Sequence, residues 1–290
     1  MKRLLALALC VLLIGCIQLA AANASPIQTI KDLKKTPELR RDGLFEVHFI
    51  SIGAADSILL RMGETTMLVD SGRPKNAAAV VAYLKSVGVN KLDYAVLTHP
   101  HDDHLGGFPG ILAEIPVDTF YKAGMYEDFR SKRLSNLTKA LAEHGMTDIT
   151  IPAGLVIRLG DATLTFYQWQ NPGASQNSRS VMIRAEYGQR SVLLSADIES
   201  GAQRAFAEDY GDVLRSDILK MPHHGIGSYQ MVFHEAVKPS LGVLTNTKGG
   251  AQKVVDVMTA RGLKYLTTPK GTVVAVTDGD TWSVWQIPNR

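Results

Sequence analysis

The chain has 290 residues, 46% of them hydrophobic, 20% charged and 7% aromatic, a composition that excludes collagen-like, low-complexity and wholly disordered classes. A chain of this length forms one large domain or two small ones and buries most of its apolar surface without needing a staple. Its formal charge of +3 becomes +1 without residues 1–24, with 29 basic against 28 acidic residues, which is too balanced for a generic nucleic-acid coat.

The first segment reads as an address. Lys2-Arg3 precede an apolar run from Leu4 to Gly15, and small residues lead to Ala22-Asn23-Ala24, an Ala-x-Ala cleavage pattern. The run is short for a spanning helix, which needs about 20 apolar residues. Leu13-Ile14-Gly15-Cys16 is similar to the lipobox of bacterial lipoproteins, so a lipid anchor through Cys16 stands beside simple cleavage. The expectation is an exported protein, periplasmic or secreted, with a signal peptide at 1–24, a linker at 25–44 and one domain at 45–290. No later segment is apolar enough to span a bilayer. Cys10 and Cys16 are the only cysteines, so the expected mature chain has no disulfide and no thiolate ligand.

From Phe45 onward, strands and helices alternate. Glu46 to Ile50, Ser57 to Met62 and Thr66 to Asp70 read as consecutive strands rich in Val, Ile, Leu and Thr. Val80, Val81, Leu84 and Val87 fall at helical spacing within Asn76 to Val87, and Gly88 ends that helix. Leu92 to Thr98 reads as a buried strand; Phe108 to Ile115 and Lys132 to His144 read as helices. Two strands follow, near Ile157 to Leu159 and Thr163 to Gln168, then a polar loop at Gln170 to Ser178. Val181 to Tyr187 and Ser191 to Ser195 form a hairpin, Ser200 to Tyr210 a helix, and Asp217 to Met221 a strand. Asp278-Gly279-Asp280 marks a closing hairpin between Thr272 to Thr277 and Trp282 to Trp285. Two strand-rich halves with helices outside predict an α/β sandwich.

The chemistry concentrates in Thr98-His99-Pro100-His101-Asp102-Asp103-His104-Leu105-Gly106-Gly107, directly after the buried strand. In a tight turn His99 and His101 can face one metal while Asp103 and His104 face a neighbouring one. Imidazole and carboxylate donors suit Zn, Mn or Fe, and the lack of thiolate disfavours soft-metal sites. A chance run of polar residues is the bland alternative. Gly106-Gly107 reads as a close-packed turn before the next helix, not as a nucleotide loop.

This cluster resembles the signature of the metallo-β-lactamase fold superfamily, and four further stretches match its pattern in order. Leu68-Val69-Asp70-Ser71-Gly72 is similar to the strand-end motif whose aspartate, Asp70, braces the metal loop. Val192 to Glu199 is similar to the strand whose terminal Asp197 bridges both metals. Leu219-Lys220-Met221-Pro222-His223-His224-Gly225 resembles the final histidine motif, and Gly271-Thr272-Val273 leading to Asp278-Gly279 resembles the closing hairpin. Within the superfamily the chain most resembles the soluble hydrolase domain of ComEC-type DNA-uptake proteins. Three turns carry that likeness: Gly53-Ala54-Ala55-Asp56-Ser57, Pro222-His223-His224-Gly225 and Asn177-Ser178-Arg179-Ser180. The first departs from the Gly-Gln-Gly-Asp pattern, and ComEC's membrane-channel portions have no counterpart here.

The resemblance implies an αββα sandwich: two mixed sheets with helices on the outer faces. It implies a binuclear hydrolase holding two divalent ions, Zn or Mn, through His99, His101, Asp103, His104, Asp197 and His223. His223 is preferred to His224 as the last ligand because it comes first off the strand, which leaves His224 nearer the substrate. Asp70 and Asp56 support the ligands from behind. Asp103 or Asp197 would accept a proton, and His224 or Lys220 would assist the leaving group, while a hydroxide shared by the metals attacks. Many members place another histidine between the first cluster and the bridging aspartate. Only His144 lies there, at a helix end, so water or Asn177 is expected to fill the vacancy and to weaken the first site. Of the other histidines, His48 reads as a hydrogen-bonded core residue, and neither His144 nor His234 as a ligand. Arg73, Lys75, Arg179, Lys220 and Lys248 are candidates for phosphate contacts. The expected activity is a phosphodiesterase or nuclease, with nucleic acid as a substrate class. A lactonase, β-lactamase-like or other ester or amide hydrolase is the alternative, and a non-catalytic binding protein on the same fold the third reading.

Overall fold

A computed structural model describes residues 27–32, 43–124, 129–246 and 251–289. The leader expected at 1–24, Cys16 with its lipobox-like surroundings, and Lys248 lie outside the described residues. Side-chain alternation sets the layers. In β2 (Phe45–Phe49), Phe45, Val47 and Phe49 enter the central core while Glu46 and His48 face the opposite side of the sheet. In β11 (Arg190–Leu194), Val192 and Leu194 face that same core while Leu193 faces outward into a second cluster. Period-two patterning of this kind is what a sheet covered on both faces produces.

Two mixed sheets result. The first contains β1 (Ile27–Asp32), β2, β3 (Ile58–Met62), β4 (Thr65–Val69), β5 (Leu92–Leu97), β6 (Val117–Lys122), β7 (Ile149–Thr150), β15 (Gly271–Thr277) and β16 (Trp282–Pro288). Its order is β1-β16-β15-β2-β3-β4-β5-β6-β7, antiparallel from β16 to β4 and parallel from β4 to β7. The second contains β8 (Val156–Leu159), β9 (Ala162–Gln168), β10 (Val181–Tyr187), β11, β12 (Ile218–Lys220), β13 (Leu241–Leu244) and β14 (Lys264–Thr267). Its order is β14-β13-β12-β11-β10-β9-β8, parallel from β14 to β11.

Helices cover the outer faces. Against the first sheet pack α1 (Ala77–Ser86), α3 (Phe108–Leu112) and α4 (Lys132–Glu143), which bury Val80, Leu84, Phe108, Ile111 and Leu137 on Leu59, Leu68 and Ala95. Against the second pack α5 (Ser200–Tyr210), α6 (Met231–Val237) and α7 (Gln252–Ala260), through Phe206, Phe233, Val254 and Met258. The order helix, sheet, sheet, helix is the expected αββα sandwich. A one-turn helix, α2 (Asp102–Leu105), belongs to the site described below.

The structure extends the expected architecture at one edge. Ile27–Asp32, within the stretch expected as a linker at 25–44, pairs in parallel with β16. No helix among the described residues is long and apolar enough to cross a membrane.

Candidate metal centre

The parallel strands β4, β5, β11, β12 and β13 all end toward one place, and the functional side chains come from the segments that leave them. In open α/β sheets this is where ligands bind. Asp70 follows β4, His99 to His104 follow β5, Asp197 follows β11, Lys220 ends β12, His223 and His224 follow it, and Thr245 follows β13. Backbone bonds tie the segments together. Ser71 donates its amide and its hydroxyl to the carbonyl of His104, each at 2.7 Å, and the amide of Asp56 reaches the carbonyl of Asp103 at 3.2 Å. The Val181 amide donates to the Thr98 carbonyl at 3.0 Å, which joins the second sheet to the histidine loop. A β-carbon on Gly107 would collide with the Ser71 carbonyl and one on Gly106 with Pro74, so the glycine pair serves close packing, as its place before α3 predicts.

Four of the five non-glycine residues with positive φ among the described residues are here: Asp70, Ala196, His223 and His224. Each left-handed residue costs about 1–3 kcal/mol unless its surroundings hold it, and such strain gathers at functional sites.

The donor atoms converge on one carboxylate oxygen. Asp197 Oδ2 lies 3.2 Å from His104 Nε2, 3.2 Å from His224 Nε2, 3.7 Å from His223 Nε2 and 3.8 Å from His99 Nε2. His99 Nε2 is 3.2 Å from His101 Nδ1. Asp103 flanks the group, its Oδ2 3.8 Å from His224 Nε2 and its Oδ1 4.0 Å from His104 Nε2. Two donors about 2.1 Å from a common tetrahedral ion stand about 3.4 Å apart, so this spacing suits a cation.

The bracing carboxylates set the ring orientations. His104 Nδ1 donates to Asp70 Oδ2 at 2.7 Å, and Asp70 also accepts from the Thr98 amide at 2.9 Å and hydroxyl at 2.7 Å. His224 Nδ1 donates to Asp56 Oδ1 at 3.1 Å, with Thr245 Oγ1 at 2.8 Å. Both rings therefore turn Nε2 inward, and those two atoms are buried without a hydrogen-bond partner. Each faces the carboxylate of Asp197 at 3.2 Å. Asp56, His104, Asp197 and His224 together could hold an ion, their donor atoms lying within 4.8 Å of one another. The residues fit a metal centre.

The electrostatics agree. Burial alone would lower His104, but Asp197 and Asp70 outweigh it and hold the imidazole well above its ordinary value. Burial likewise opposes protonation of His224, and Asp197 and Asp56 lift it to about 9. A pocket that drives protons onto two deeply buried rings carries a strong negative field, which suits a cation in place of those protons. His99 behaves oppositely: burial and the neighbouring His104 hold it well below its usual range, as a neutral imidazole. Asp197 stays ionised despite its burial because His224, His104 and Lys220 surround it.

The structure places the expected site residues as follows. His224 sits in the buried cluster with its Nε2 3.2 Å from Asp197 Oδ2, and the Nε2 of His223 lies 3.7 Å from the same oxygen. His223 is 26% exposed and keeps to the solvent side. Lys220, expected against substrate or leaving group, is wholly buried. Its ammonium pairs with Asp56, donates to the Ala196 carbonyl at 2.9 Å and lies 3.4 Å from Asp197 Oδ1. Strand β12 points it into the protein beneath the Asp197 carboxylate. Asn177 is nine-tenths buried, with its amide 3.2 Å from Glu199 Oε1 and 3.4 Å from His223 Nε2. Arg179 is half-buried in the same loop. Sequence reasoning missed Arg73 as a partner of Asp103, at 2.9 Å, and Thr245 beside His224. The bland readings of other histidines agree with their surroundings: His48 bonds Glu46 and Tyr83 in the core, and exposed His144 caps α4.

Among solved structures, the chain is similar to the metallo-β-lactamase fold protein YhfI from Bacillus subtilis, with TM-score 0.53 and 16% identity over 77% of this chain and 95% of that one. It is also similar to CmlA, a diiron β-hydroxylase from Streptomyces venezuelae, with TM-score 0.50 and 15% identity over 83% of this chain and 55% of that one. These likenesses show the fold alone. Among curated proteins it is 26% identical over 223 residues to competence protein ComA of Neisseria gonorrhoeae, covering 74% of this chain and 30% of that protein. It is 23% identical over 255 residues to ComE operon protein 3 of Bacillus subtilis (strain 168), covering 79% and 32%. The chain thus spans about a third of the length of these relatives. The profile of the metallo-β-lactamase superfamily matches residues 51–226, more than half of the sequence, and with the sandwich and the histidine–aspartate cluster in place, the chain belongs to that superfamily.

Proposed function

We propose that this protein is an exported, metal-dependent phosphodiesterase or nuclease that holds two divalent ions, Zn or Mn. The observation that carries the metal reading is the convergence of two buried nitrogens, His104 Nε2 and His224 Nε2, on Asp197 Oδ2, each at 3.2 Å. His99, His101 and Asp197 would hold one ion, and Asp103, His104, His224 and Asp197 the other. Bound divalent ions supply Lewis acidity and generate a nucleophile near neutral pH.

The remaining steps belong to the chain's own side chains. Asp70 and Asp56 fix the tautomers of His104 and His224 by accepting from Nδ1. Lys220 holds the far oxygen of Asp197, so that Oδ2 alone faces the donors. Asp103 is 21% exposed while Asp197 is buried, which makes Asp103 the carboxylate able to pass a proton to solvent. Arg73 is 43% exposed and bonds that same Asp103 from the rim; its guanidinium suits a phosphate oxygen. Arg73 and the similarity to two competence proteins support a phosphodiester substrate over a neutral ester. The fold does not choose, since a diiron β-hydroxylase shares it. Export rests on the leader-like segment Lys2 to Ala24.

The test loads the protein separately with Zn and Mn and assays bis-p-nitrophenyl phosphate beside a nitrophenyl ester and a β-lactam chromophore. Phosphodiester turnover that disappears in His99→Ala is expected. Turnover of the ester or lactam alone would move the protein to the other class of hydrolase.

A further inference from the structure

His223 stands on the solvent side of the buried cluster, and its position needs a reason. It follows Pro222 in a turn where two successive residues are left-handed, His223 at φ 49°, ψ 50° and His224 at φ 55°, ψ 13°. The His223 amide donates to the carbonyl of Ala196 at 3.0 Å, which pins the turn against the residue before Asp197. The two imidazoles stand 6.0 Å apart with planes 54° apart, yet the Nε2 atoms of both approach the same carboxylate oxygen, at 3.7 and 3.2 Å. His224 shares its side of Asp197 with His104, whose ring centre is 5.2 Å away. Asp197 Oδ2 is also 3.8 Å from His99 Nε2, which faces His101 Nδ1. The intervening sequence supplies no histidine to join that pair, because His144 is an exposed helix cap.

We propose that the adjacent histidines of the Pro222–Gly225 turn divide between the two ions. His224 serves the ion held by Asp103 and His104, and His223 completes the one held by His99, His101 and Asp197. Asn177, whose amide is 3.4 Å from His223 Nε2 and 3.2 Å from Glu199 Oε1, orients the ring and does not replace it. The inference rests on the two-metal reading above.

The test is a Zn titration of the metal-stripped full chain, by calorimetry and elemental analysis. Wild type should bind two ions. His223→Ala should keep one at wild-type affinity and lose about tenfold or more at the other. Because His99 and His223 are assigned to one site, the His99→Ala, His223→Ala double variant should still keep one tight ion, whereas His99→Ala with His224→Ala should weaken both. Two undiminished ions in His223→Ala, or loss of both in the first double variant, would overturn the inference and leave the two-metal reading standing. Fewer than two ions in wild type would overturn both. A measurement on unmutated protein needs no variant to fold: the 15N imidazole signal of His223 should move with the same Zn equivalent as that of His99. Movement with the equivalent that shifts His104, or no movement, would count against it.

Discussion

At Asp70 the backbone turns left-handed, φ 59°, as β4 ends, and the carboxylate swings beneath the histidine loop to take three donors from Thr98 and His104. It holds the ring of His104 without approaching the place an ion would occupy. Asp70→Ala should therefore lower metal affinity about 10–100-fold while the chain stays folded, as competition with a chromophoric chelator would read. Unchanged affinity would make Asp70 merely structural. The cluster itself was legible at this scale because His99, His101, Asp103 and His104 fall within six residues, and a strand delivers them together to one tight turn. The sequence did not reveal which of His223 and His224 turns inward. That depends on two consecutive left-handed residues, a conformation that no pattern of hydrophobicity encodes. Lys220 was misplaced for a related reason: a lysine at a strand end normally reaches solvent, and only the buried carboxylates of Asp56 and Asp197 make complete burial tolerable.

Among the elements, β2, β3 and α1 share a buried polar network on the helix-covered face. Glu46 accepts from Arg61 Nε at 3.1 Å and lies 2.9 Å from His48 Nε2, His48 Nδ1 bonds Tyr83 at 2.7 Å, and Arg61 Nη1 reaches the Val87 carbonyl at 2.8 Å. Burial alone would raise Glu46, but His48 and Arg61 outweigh it and bring the carboxyl below its ordinary value of 4.5. A depressed carboxyl contributes stability that is fully present above the unfolded value and is lost as pH falls through the folded one. Glu46→Gln should cost about 3 kcal/mol at pH 7, since Arg61 is left buried without its partner. The gap between variant and wild type should narrow below about pH 4.5, as paired urea titrations would show. A gap independent of pH would sink the ion-pair account. Most elements of this sheet were legible from alternation and turn glycines. β6 and β7 were not, because short strands of two to six residues give too little periodicity. β1 escaped because its register comes from β16, which is more than two hundred residues away in sequence.

For the molecule as a whole, the sandwich was readable from the order of its halves, and the substrate was not, because one fold carries several chemistries. Metal binding to the folded state alone should raise the melting temperature. Free ion at a hundredfold over its dissociation constant contributes about 2.7 kcal/mol per site, roughly 5–10 °C for a domain of this size. A scan with and without chelator would measure it, and no difference would argue against an occupied centre. The convergence of strand ends on Asp197 carries one more consequence. Residues up to His104 supply Asp56, Asp70, His99, His101 and Asp103, whereas Asp197, Lys220, His223 and His224 arrive only after the chain has crossed to the other sheet. Neither half owns a complete donor set. Bound metal would therefore act as a clasp between the halves, and its affinity as a gauge of how well they dock. A cavity opened at Ile183 or Val273, deep between the sheets, would register as a loosened ion, without touching any residue that holds it.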